Sequence, residues 1–595
     1  MFTRSLVRYA FEPVAQRKFD QILWPICQGQ GQKGLGLAIS GGVDSMALAV
    51  LCKRVRRFKT PPITAFIVDH RLRPESTTEA QSVAKYLGQL GINHEVLTLN
   101  WEEVSDPSQI PNLESAARRM RFQALGRACA AAGIEDLLLA HHADDQAETV
   151  LARIHGGYLG TGLTGIQPKM PIGECHGMYK VSKSGSLRPL DRARTSTSIF
   201  VESGGVVLHR PLLGFTKSEL IATCTISGVR WHEDATNADR TLTLRNAIRQ
   251  MLQANAMPAA LTSDRLRQLA ATKWRNLTYC ESKAREYFDK CLVELDIHHG
   301  SVSFQIHPDV EVQLNHDKDR QLVAAILMRK FFSLVEDQSR LALKDLSRSV
   351  AFVFPSAVEE WQTDSNTIHI GNVTLVKHFS NKENNMKEQN KYLIFPRPVR
   401  APEASVQTLL EVTAQNHSTS QGPVWTTTKL FHDRWWIKLK YIPANVSVGT
   451  SVVIRFLRVG ESAKEVNQRH GRSKLARLPP GKLRYTVPAI VKISEVKDEN
   501  GLVSKEEKIL AFPSIGLTRS GCSEYKAKMD RTSEPKMADD SLWEYTCVYK
   551  DIDFDAGQRH TINFVRTEDP VEKNNTCFSD GSMLRRTNTQ MSSTD

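Results

Sequence analysis

The feature that most constrains the fold is an apolar run that ends in a glycine-rich turn and is followed by a helix-like segment. Residues 35–39 read LGLAI, residues 40–45 read SGGVDS, and residues 46–55 are mostly apolar. A short apolar run bounded by glycines is typical of a buried strand. Further strand-like and helix-like segments alternate along the chain: strands at 63–68, 94–99 and 136–140, and helices at 77–90 and 112–132. This alternation predicts an α/β fold with a doubly wound parallel sheet.

The turn at residues 40–45 has the chemistry of an anion-binding loop. Gly41 and Gly42 have no side chain to keep an anion from the backbone amides, and the next helix begins here with its positive dipole end. Ser40 and Ser45 add hydroxyl donors. A carboxylate at Asp44 repels phosphate unless it holds Mg²⁺ or a cationic group. The alternative is a plain strand-to-helix turn capped by Asp44 or Ser45.

A second polar cluster follows the fourth predicted strand, in the segment HHADDQAE. If a helix begins near Asp144, then Asp145 and Glu148 share one face, at the sheet edge where doubly wound folds bind ligands. Paired carboxylates there would bind Mg²⁺ or an ammonium group. The alternatives are helix capping for the two aspartates and a packed, hydrogen-bonded pair for His141 and His142.

Composition narrows the class of protein. A chain of 595 residues is too long for one hydrophobic core, and a formal net charge of +13 suits a polyanionic partner. None of the ten cysteines forms a CxxC pair, which argues against a zinc ribbon or a redox motif. No apolar run approaches the roughly 20 residues of a membrane helix, so no membrane partner is expected.

Seven blocks of sequence together resemble one family. The chain is similar to the tRNA(Ile)-lysidine synthetases, within the PP-loop N-type ATP pyrophosphatases. The blocks, in family order, are LAISGGVDSMAL (37–48), VDHRLRPES (68–76), ESAARRMRFQAL (114–125), LLLAHHADDQAETVLARI (137–154), GTGLTGI (160–166), RPLLGFTKSEL (210–220) and WHEDATNADRTLTLRNAIR (231–249).

The resemblance implies a reaction in two steps. ATP adenylates the C2 oxygen of the wobble cytidine in a tRNA(Ile) with a CAU anticodon. The ε-amine of free L-lysine then displaces AMP and gives lysidine. The resemblance also implies a PP-loop type of doubly wound sheet, with ATP and Mg²⁺ bound at the loop.

The resemblance assigns roles to particular residues. The loop residues expected to bind ATP are Ser40, Gly41, Gly42, Val43, Asp44 and Ser45, with Asp44 as the Mg²⁺ ligand. The residues expected to act in catalysis are Asp44, Arg118, Arg121, Asp145 and Glu148. The residues expected to bind substrate are His141, His142, Asp144, Asp145, Glu148, Arg245 and Asn246.

Some of these assignments have structural alternatives. Arg118 and Arg121 suit phosphate as a guanidinium pair, but they also suit a solvated basic helix face. Arg245 and Asn246 suit the substrate side of the domain or packing between domains. Asp234 and Asn237 are interpreted as turn and cap residues.

The organisation predicted for the chain has six parts. Residues 1–32 are a mitochondrial presequence or the first helix, 33–255 the catalytic domain with a loop insertion at 168–205, 256–375 a mainly helical tRNA-contacting region, 376–430 a linker, 431–550 a small divergent α+β domain, and 551–595 a polar tail. The α+β domain faintly echoes the family's tRNA acceptor-binding domain around Arg455 and Arg458. Cationic density predicts tRNA contact through Arg469, Arg472, Lys474 and Arg477.

Two other classes of function remain open at this point. One is a different PP-loop enzyme, such as a tRNA thiolase or a GMP or asparagine synthetase. The other is a catalytically inactive tRNA-binding relative, against which the presence of Asp44, Asp145 and Glu148 argues. Arg4 and Arg8 precede any acidic residue, which favours a mitochondrial location over a cytoplasmic one. The oligomeric state stays open, with a homodimer as one alternative.

Overall fold

The computed structural model divides into two compact units, residues 1–283 and 284–595. The residues that it describes are 12–28, 34–56, 58–101, 112–189, 200–232, 244–254, 257–336, 341–358, 365–378, 391–397, 406–458, 461, 485–497, 503–518, 522–524, 543–552 and 562–564. None of the described helices is long and apolar enough to cross a membrane.

The first unit alternates helices and strands, as the sequence predicts. Its elements are α1 (Gln16–Gln28), β1 (Leu35–Ile39), α2 (Val43–Lys53), β2 (Ile63–Asp69), α3 (Ser76–Gln89), β3 (Asn93–Thr98), α4 (Leu113–Ala131), β4 (Asp136–Leu138), α5 (Ala143–His155), β5 (Lys169–Pro171), β6 (Ser186–Pro189), β7 (Phe200–Ser203), β8 (Val207–His209), α6 (Lys217–Ile226), α7 (Leu244–Gln253) and α8 (Ser263–Asp289). Each strand and helix predicted between residues 35 and 140 is present, with ends that differ by at most a few residues.

The sheet of this unit has the order β3-β2-β1-β4-β8-β5. The first five strands are parallel, and β5 is an antiparallel edge strand. Because β1 pairs with both β2 and β4, the strand order reverses between β1 and β4. That reversal opens a crevice at the carboxyl ends of the strands, where doubly wound folds bind ligands. The predicted doubly wound parallel sheet is confirmed.

Two hydrophobic clusters cover the two faces of the sheet. One includes Phe19 and Leu23 of α1 together with Met46 of α2. The other includes Phe122 of α4 and Leu208 of β8. Residues 16–28, within the range 1–32 predicted as a presequence or the first helix, form a helix whose Phe19 and Leu23 side chains are fully buried. Residues 1–11 and 29–33 of that range lie outside the described part of the chain, and the presequence alternative stays a prediction.

The range 168–205 contains more regular structure than the predicted loop insertion. β5 pairs with β8, β6 and β7 form an antiparallel hairpin, and Ile172, Cys175 and Val181 are buried in the cluster around Phe122. The interpretation as a loop was wrong because strands of three or four residues are too short to show a period in the sequence.

The second unit contains mostly strands. Its elements are β9 (Leu292–Asp296), β10 (Ser301–Gln305), α9 (Pro308–His316), α10 (Arg320–Ser333), α11 (Ser347–Val353), β11 (Thr367–Ile370), β12 (Val373–His378), β13 (Lys391–Pro396), β14 (Gln407–Glu411), β15 (Val424–Trp425), β16 (Lys429–Phe431), β17 (Trp435–Tyr441), β18 (Ser451–Phe456), β19 (Pro488–Lys497), β20 (Val503–Phe512), β21 (Leu517–Thr518), β22 (Cys522–Glu524), β23 (Trp543–Tyr549) and β24 (Ile562–Phe564).

These strands form sheets that the sequence did not reveal. One sheet has the order β11-β12-β13-β10-β9-β24 and another β14-β18-β19-β20-β21, while β17 pairs with β15, β16 and β23. The range 256–375, predicted to be mainly helical, therefore contributes four strands. The predicted linker 376–430 contains β13 to β16. In 431–550, predicted to be α+β, the described elements are strands and short 3₁₀ turns. These strands are mostly short and lie among polar, turn-rich residues, so the sequence did not predict them.

Candidate functional site

The predicted anion-binding loop lies at the reversal of strand order. β1 ends at Ile39 and α2 begins at Val43. Gly41 has a φ of +85°, and a Cβ built on it would lie 2.5 Å from Cγ2 of Val83. Only glycine fits that position. Gly42 is the N-cap of α2 and offers no side-chain cap, so the first amides of the helix have no side-chain acceptor there. Such a turn can hold an anion on its backbone amides.

Ser40 and Ser45 brace this turn from inside. The Ser45 hydroxyl donates to the Gly42 carbonyl at 2.9 Å and accepts from the Ser40 amide at 3.3 Å. The Ser40 hydroxyl lies 3.3 Å from the Ser45 hydroxyl. Ser45 is buried and its proton is used within the loop, whereas Ser40 is exposed and better placed to donate to a ligand.

Asp44 points from the first turn of α2 towards α5. Its Oδ2 lies 3.6 Å from Nε2 of His142. Its Oδ1 is buried and has no hydrogen-bond partner among the described residues. A buried carboxylate oxygen without a donor is costly unless a ligand supplies a cation or a proton donor.

The first turn of α5 is organised by a capping box. The His142 amide donates to Asp145 Oδ2 at 3.0 Å, and His142 Nδ1 lies 3.2 Å from the Asp144 amide. Asp144 Oδ2 accepts from the amide of Lys217, the first residue of α6, at 2.8 Å. Asp144, predicted to bind substrate, therefore joins the N-termini of two helices. This contact favours the capping alternative for Asp144.

The two neighbouring histidines differ in protonation at pH 7: His142 is charged and His141 is neutral. Burial disfavours a charged His142, but its contacts with the Asp144 and Asp44 carboxylates outweigh burial and raise its pKa to about 10. His142 Nδ1 also lies 3.5 Å from Asp144 Oδ2. Burial lowers the pKa of His141 to about 4, so His141 is neutral at pH 7.

The carboxylates of Asp145 and Glu148, here called the carboxylate pair, lie side by side as the helical spacing predicts. Two arginines of α7 contact them. Arg245 donates to Asp145 Oδ1 at 2.8 Å and to Glu148 Oε2 at 3.1 Å. Arg249 donates to Glu148 Oε1 at 2.7 Å and to Oε2 at 3.1 Å. The pair is thus charge-balanced inside the protein.

Packing explains this arrangement. Ile248 of α7 shares a hydrophobic cluster with Val150 and Leu151 of α5. Residues 245 and 249 are one helical turn apart, so both guanidinium groups point to the same face, beside Ile248. Arg249 was absent from the predicted site, although its spacing from Arg245 was a usable signal. Asn246 is half-buried on the same helix.

Arg118 and Arg121 do not act as one pair. Arg118 donates through Nε to Glu174 Oε1 at 2.8 Å. Arg121 lines the cavity beside the loop. Both guanidinium groups stack near the ring of Phe122, at 4.7 and 5.4 Å from its centroid. Of these two arginines, Arg121 is the one that lines the cavity.

A cavity of about 270 Å³ lies at the carboxyl ends of β1, β2 and β4. The predicted residues that line it are Ser40, Asp44, Ser45, Arg121, His141 and Asp145. His70 and His232 also line it and were not among the predicted site residues. The His232 amide donates to the Gly41 carbonyl at 3.0 Å and so holds the loop. Asp234 and Asn237 lie outside the described residues.

Comparison with known proteins agrees with this geometry. The family model ATP_bind_3, described as a PP-loop domain, matches residues 11–256. The first unit is therefore a PP-loop domain.

Within that class, the chain is similar to tRNA(Ile)-lysidine synthases. The probable tRNA(Ile)-lysidine synthase of Schizosaccharomyces pombe is 36% identical over 247 residues, which are 41% of this chain and 50% of that protein. The enzyme of a Bradyrhizobium species is 35% identical over 228 residues, which are 38% of this chain and 53% of that protein. The chain thus matches about half the length of these curated relatives.

A solved structure of the U34-tRNA thiolase NcsA from Methanococcus maripaludis aligns with 43% of this chain and 78% of that chain, at 16% identity and a TM-score of 0.30. We draw no conclusion from an alignment with so low a score.

Proposed function

We propose that this protein is a tRNA(Ile)-lysidine synthase. It adenylates the C2 oxygen of the wobble cytidine in CAU-anticodon tRNA(Ile) with ATP, and the ε-amine of L-lysine then displaces AMP. One observation carries the proposal: in a domain similar to these synthases, residues of a phosphate-type loop, Asp44 among them, line one cavity together with Asp145 of the carboxylate pair. A nucleotide site and a site for an ammonium group are thereby neighbours.

The loop binds the ATP phosphates in this proposal. Its uncapped helix start and the amides around Gly41 and Gly42 supply donors to an anion. The buried, unpartnered Oδ1 of Asp44 suits one ligand position on Mg²⁺, which would offset phosphate charge. No cluster of three or more metal-binding side chains occurs among the described residues. Most ligands of that ion would come from phosphate and water.

Arg121 and His142 supply the positive charge on the protein side. Arg121 lines the cavity and can stabilise charge that develops on the leaving phosphate. The His142 imidazolium lies between Asp44 and Asp145, at 3.6 and 3.5 Å from their nearest oxygens. It reduces the repulsion between the half-buried Asp44 carboxylate and the buried Asp145 carboxylate and so positions both.

The carboxylate pair receives the lysine ammonium in this proposal. An amine attacks only after it loses a proton, and a carboxylate at hydrogen-bond distance can accept that proton. Burial raises the pKa of Asp145, but the nearby His142 and Arg245 lower it by more. The pKa of this carboxyl is therefore below its usual range. Asp145 is therefore ionised at pH 7 and ready to bind a cation.

The tRNA contacts are proposed for the basic parts of the chain. Arg455 is not one of them, because it is buried in ion pairs with Glu461 and Glu507. Arg469, Arg472, Lys474 and Arg477 lie outside the described residues. If these four bind tRNA phosphates, their replacement by glutamate lowers tRNA affinity and flattens its dependence on salt. Unchanged affinity and salt slope would exclude this contact.

The test of the function is a transfer assay. The full chain is incubated with CAU-anticodon tRNA(Ile) transcript, ATP and labelled lysine, and label in tRNA and AMP are both measured. We expect incorporation that is lost in Asp44→Asn and kept in Asp264→Asn, which changes an exposed aspartate of α8. The same transcript with its wobble cytidine replaced by uridine should accept no label.

The same assay separates the rival functions. A thiolase would act on the tRNA without consuming lysine, and an inactive relative would bind the tRNA without releasing AMP. Absence of lysine incorporation with every isoleucine tRNA tested would refute the proposal.

We further propose that the protein works in mitochondria, on the basis of the arginine-bearing N-terminus. Mass spectrometry of the mature N-terminus in isolated organelles tests this. Recovery of an intact Met1 in the cytoplasmic fraction alone would contradict it.

A further inference from the structure

Every oxygen of the carboxylate pair already accepts a hydrogen bond from the protein. Asp145 Oδ1 accepts from Arg245, and Asp145 Oδ2 accepts from the His142 amide. Glu148 Oε1 accepts from Arg249, and Glu148 Oε2 accepts from both arginines. Two positive groups balance two negative ones. For the lysine ammonium to bind here without a third positive charge, one of the two arginines must leave.

The two arginines differ in how easily they can leave. The Arg245 side chain is 48% exposed and makes one hydrogen bond to each carboxylate. The Arg249 side chain is 22% exposed and makes two hydrogen bonds to Glu148, and its Nη2 lies 4.0 Å from Asp145 Oδ1. Arg245 is already half in solvent, so its departure requires little change in solvation. Arg249 can stay and keep Glu148 oriented.

The nucleotide loop offers a reason for Arg245 to leave. Asp145 and Asp44 line the same cavity, and His142 bridges them. A polyphosphate in that cavity would lie beside Asp145 and would attract the Arg245 guanidinium, which can bind phosphate with paired hydrogen bonds. The shift requires only that Arg245 gains more from the anion than it loses at the carboxylates.

We propose that Arg245 is an internal substitute for the lysine ammonium: it occupies the carboxylate pair in the nucleotide-free protein and moves to the phosphates when ATP binds. Lysine then binds at Asp145 Oδ1 and Glu148 Oε2. Arg249 is a positioning residue that holds Glu148 throughout. This inference rests on the proposed function. Its consequence is an order of binding in which ATP precedes lysine, so that free lysine does not fill the site of an enzyme without nucleotide.

Calorimetric titration of L-lysine into the full chain tests the order. The measurement is made with and without α,β-methylene-ATP, whose modified bond cannot be split between the α- and β-phosphates. We expect the analogue to tighten lysine binding at least tenfold in the unmodified protein, which equals about 1.4 kcal/mol of coupling. Equal lysine affinity with and without the analogue overturns the proposal.

Variants identify the residue responsible. In Arg245→Gln, lysine should bind without the analogue about as tightly as it binds to the unmodified protein with it. The control Arg265→Gln, an exposed arginine of α8 that contacts Gln268, should keep the full coupling. If Arg245→Gln weakens lysine binding in the absence of the analogue, then Arg245 holds lysine rather than substituting for it, and the proposal is wrong. Circular dichroism and thermal unfolding report whether each variant is folded, since the proposed contact of Arg245 with phosphate makes analogue affinity unsuitable for this purpose.

The outcomes also separate this inference from the proposed function. Lysine that binds and enters tRNA, but without coupling to the nucleotide, contradicts only the role of Arg245. Lysine that binds under no condition, with tRNA present or absent, contradicts the function and the inference with it.

Discussion

Two arginine–carboxylate clusters, one in each unit, have opposite arrangements. At the carboxylate pair the acids are buried and the arginines reach solvent. In the second unit Arg455 is the buried partner, at 1% exposure, and its acids Glu461 and Glu507 are partly exposed. A buried acid with a replaceable cation can recognise a cationic ligand. A buried arginine covered by protein acids cannot reach phosphate, so we infer that the Arg455 cluster stabilises the fold.

The largest expected effect comes from leaving Arg455 without partners. The double variant Glu461→Gln, Glu507→Gln removes both carboxylates and leaves a buried, unpaired cation. Breaking a buried ion pair in this way costs about 3–5 kcal/mol. We expect Arg455→Met to cost clearly less, because its two freed acids can be hydrated. Urea unfolding of the full chain, followed by a probe in the second unit, measures both values.

The comparison fails if Arg455→Met is the more damaging of the two changes. That result would mean that the arginine is needed for packing and not for charge compensation. Lysine incorporation measured well below the unfolding midpoint should stay within about twofold of normal for both variants, since neither change touches the cavity.

The next largest effect is on catalysis in the first unit. Glu148→Gln keeps the shape of the side chain and removes the charge that we assign to the lysine ammonium. A hydrogen-bonded charge partner in a buried site contributes about 2–5 kcal/mol, so kcat/KM for lysine should fall by roughly 100-fold or more. Affinity for α,β-methylene-ATP should be nearly unchanged. A parallel loss of nucleotide affinity would assign Glu148 to the nucleotide site instead.

A smaller effect concerns pH. The folded-state pKa of His142 is raised from 6.5 to about 10, so the imidazolium contributes its full stabilisation below pH 6.5. This contribution is lost as pH rises from 6.5 towards 10. A raised pKa of even one unit corresponds to about 1.4 kcal/mol, and we expect a loss of at least that size. Chemical unfolding across this range measures it.

His142→Gln is the control for the pH experiment. This variant should be less stable at pH 6 and should show a flatter decline of stability with pH. If the unmodified protein and His142→Gln decline in parallel above pH 7, then His142 is neutral in the folded protein, and Asp44 and Asp145 are positioned by other contacts.

The position of the cavity could be predicted from the sequence because it depends on where the parallel strands end. The run before Ser40 and the run before His141 are both parallel strands, and parallel strands present their carboxyl ends at one edge. The loop and the carboxylate pair had to converge there once β1 and β4 were neighbours. Gly41 is a similar case, since SGG after a strand already indicates a backbone conformation that other residues rarely adopt.

The partners of the site residues could not be predicted in the same way. The direction of Arg245 and Arg249 depends on Ile248 packing against α5, almost a hundred residues earlier in the chain. Arg118 and Arg121 share a helix face, yet only Arg118 meets Glu174, which comes from the range interpreted as an insertion. Between residues 391 and 431, β13 pairs with β10 and β14 pairs with β18, both distant in the chain, and no local period reveals these pairings.

The smallest effect on the free energy of unfolding is expected for Arg458→Gln. This variant is the closest comparison for Arg245→Gln, because the two arginines are similarly exposed. The Arg458 side chain is 36% exposed and donates to Glu507 Oε2 at 2.9 Å at the rim of the Arg455 cluster. Ion pairs at such positions contribute about 0–1 kcal/mol. Arg458→Gln should therefore change the free energy of unfolding by less than about 1 kcal/mol and leave lysine binding unchanged.

Arg245→Gln and Arg458→Gln then remove one half-exposed charge each, from clusters of opposite arrangement. If the exposure of the arginine alone determined the effect of its removal, neither variant would change the coupling between nucleotide and lysine binding. We expect only Arg245→Gln to change the coupling between nucleotide and lysine, because only there does the departing arginine uncover a buried carboxylate. A shift in tRNA affinity for Arg458→Gln would instead assign this arginine to the RNA interface and would show that the Arg455 cluster also serves binding.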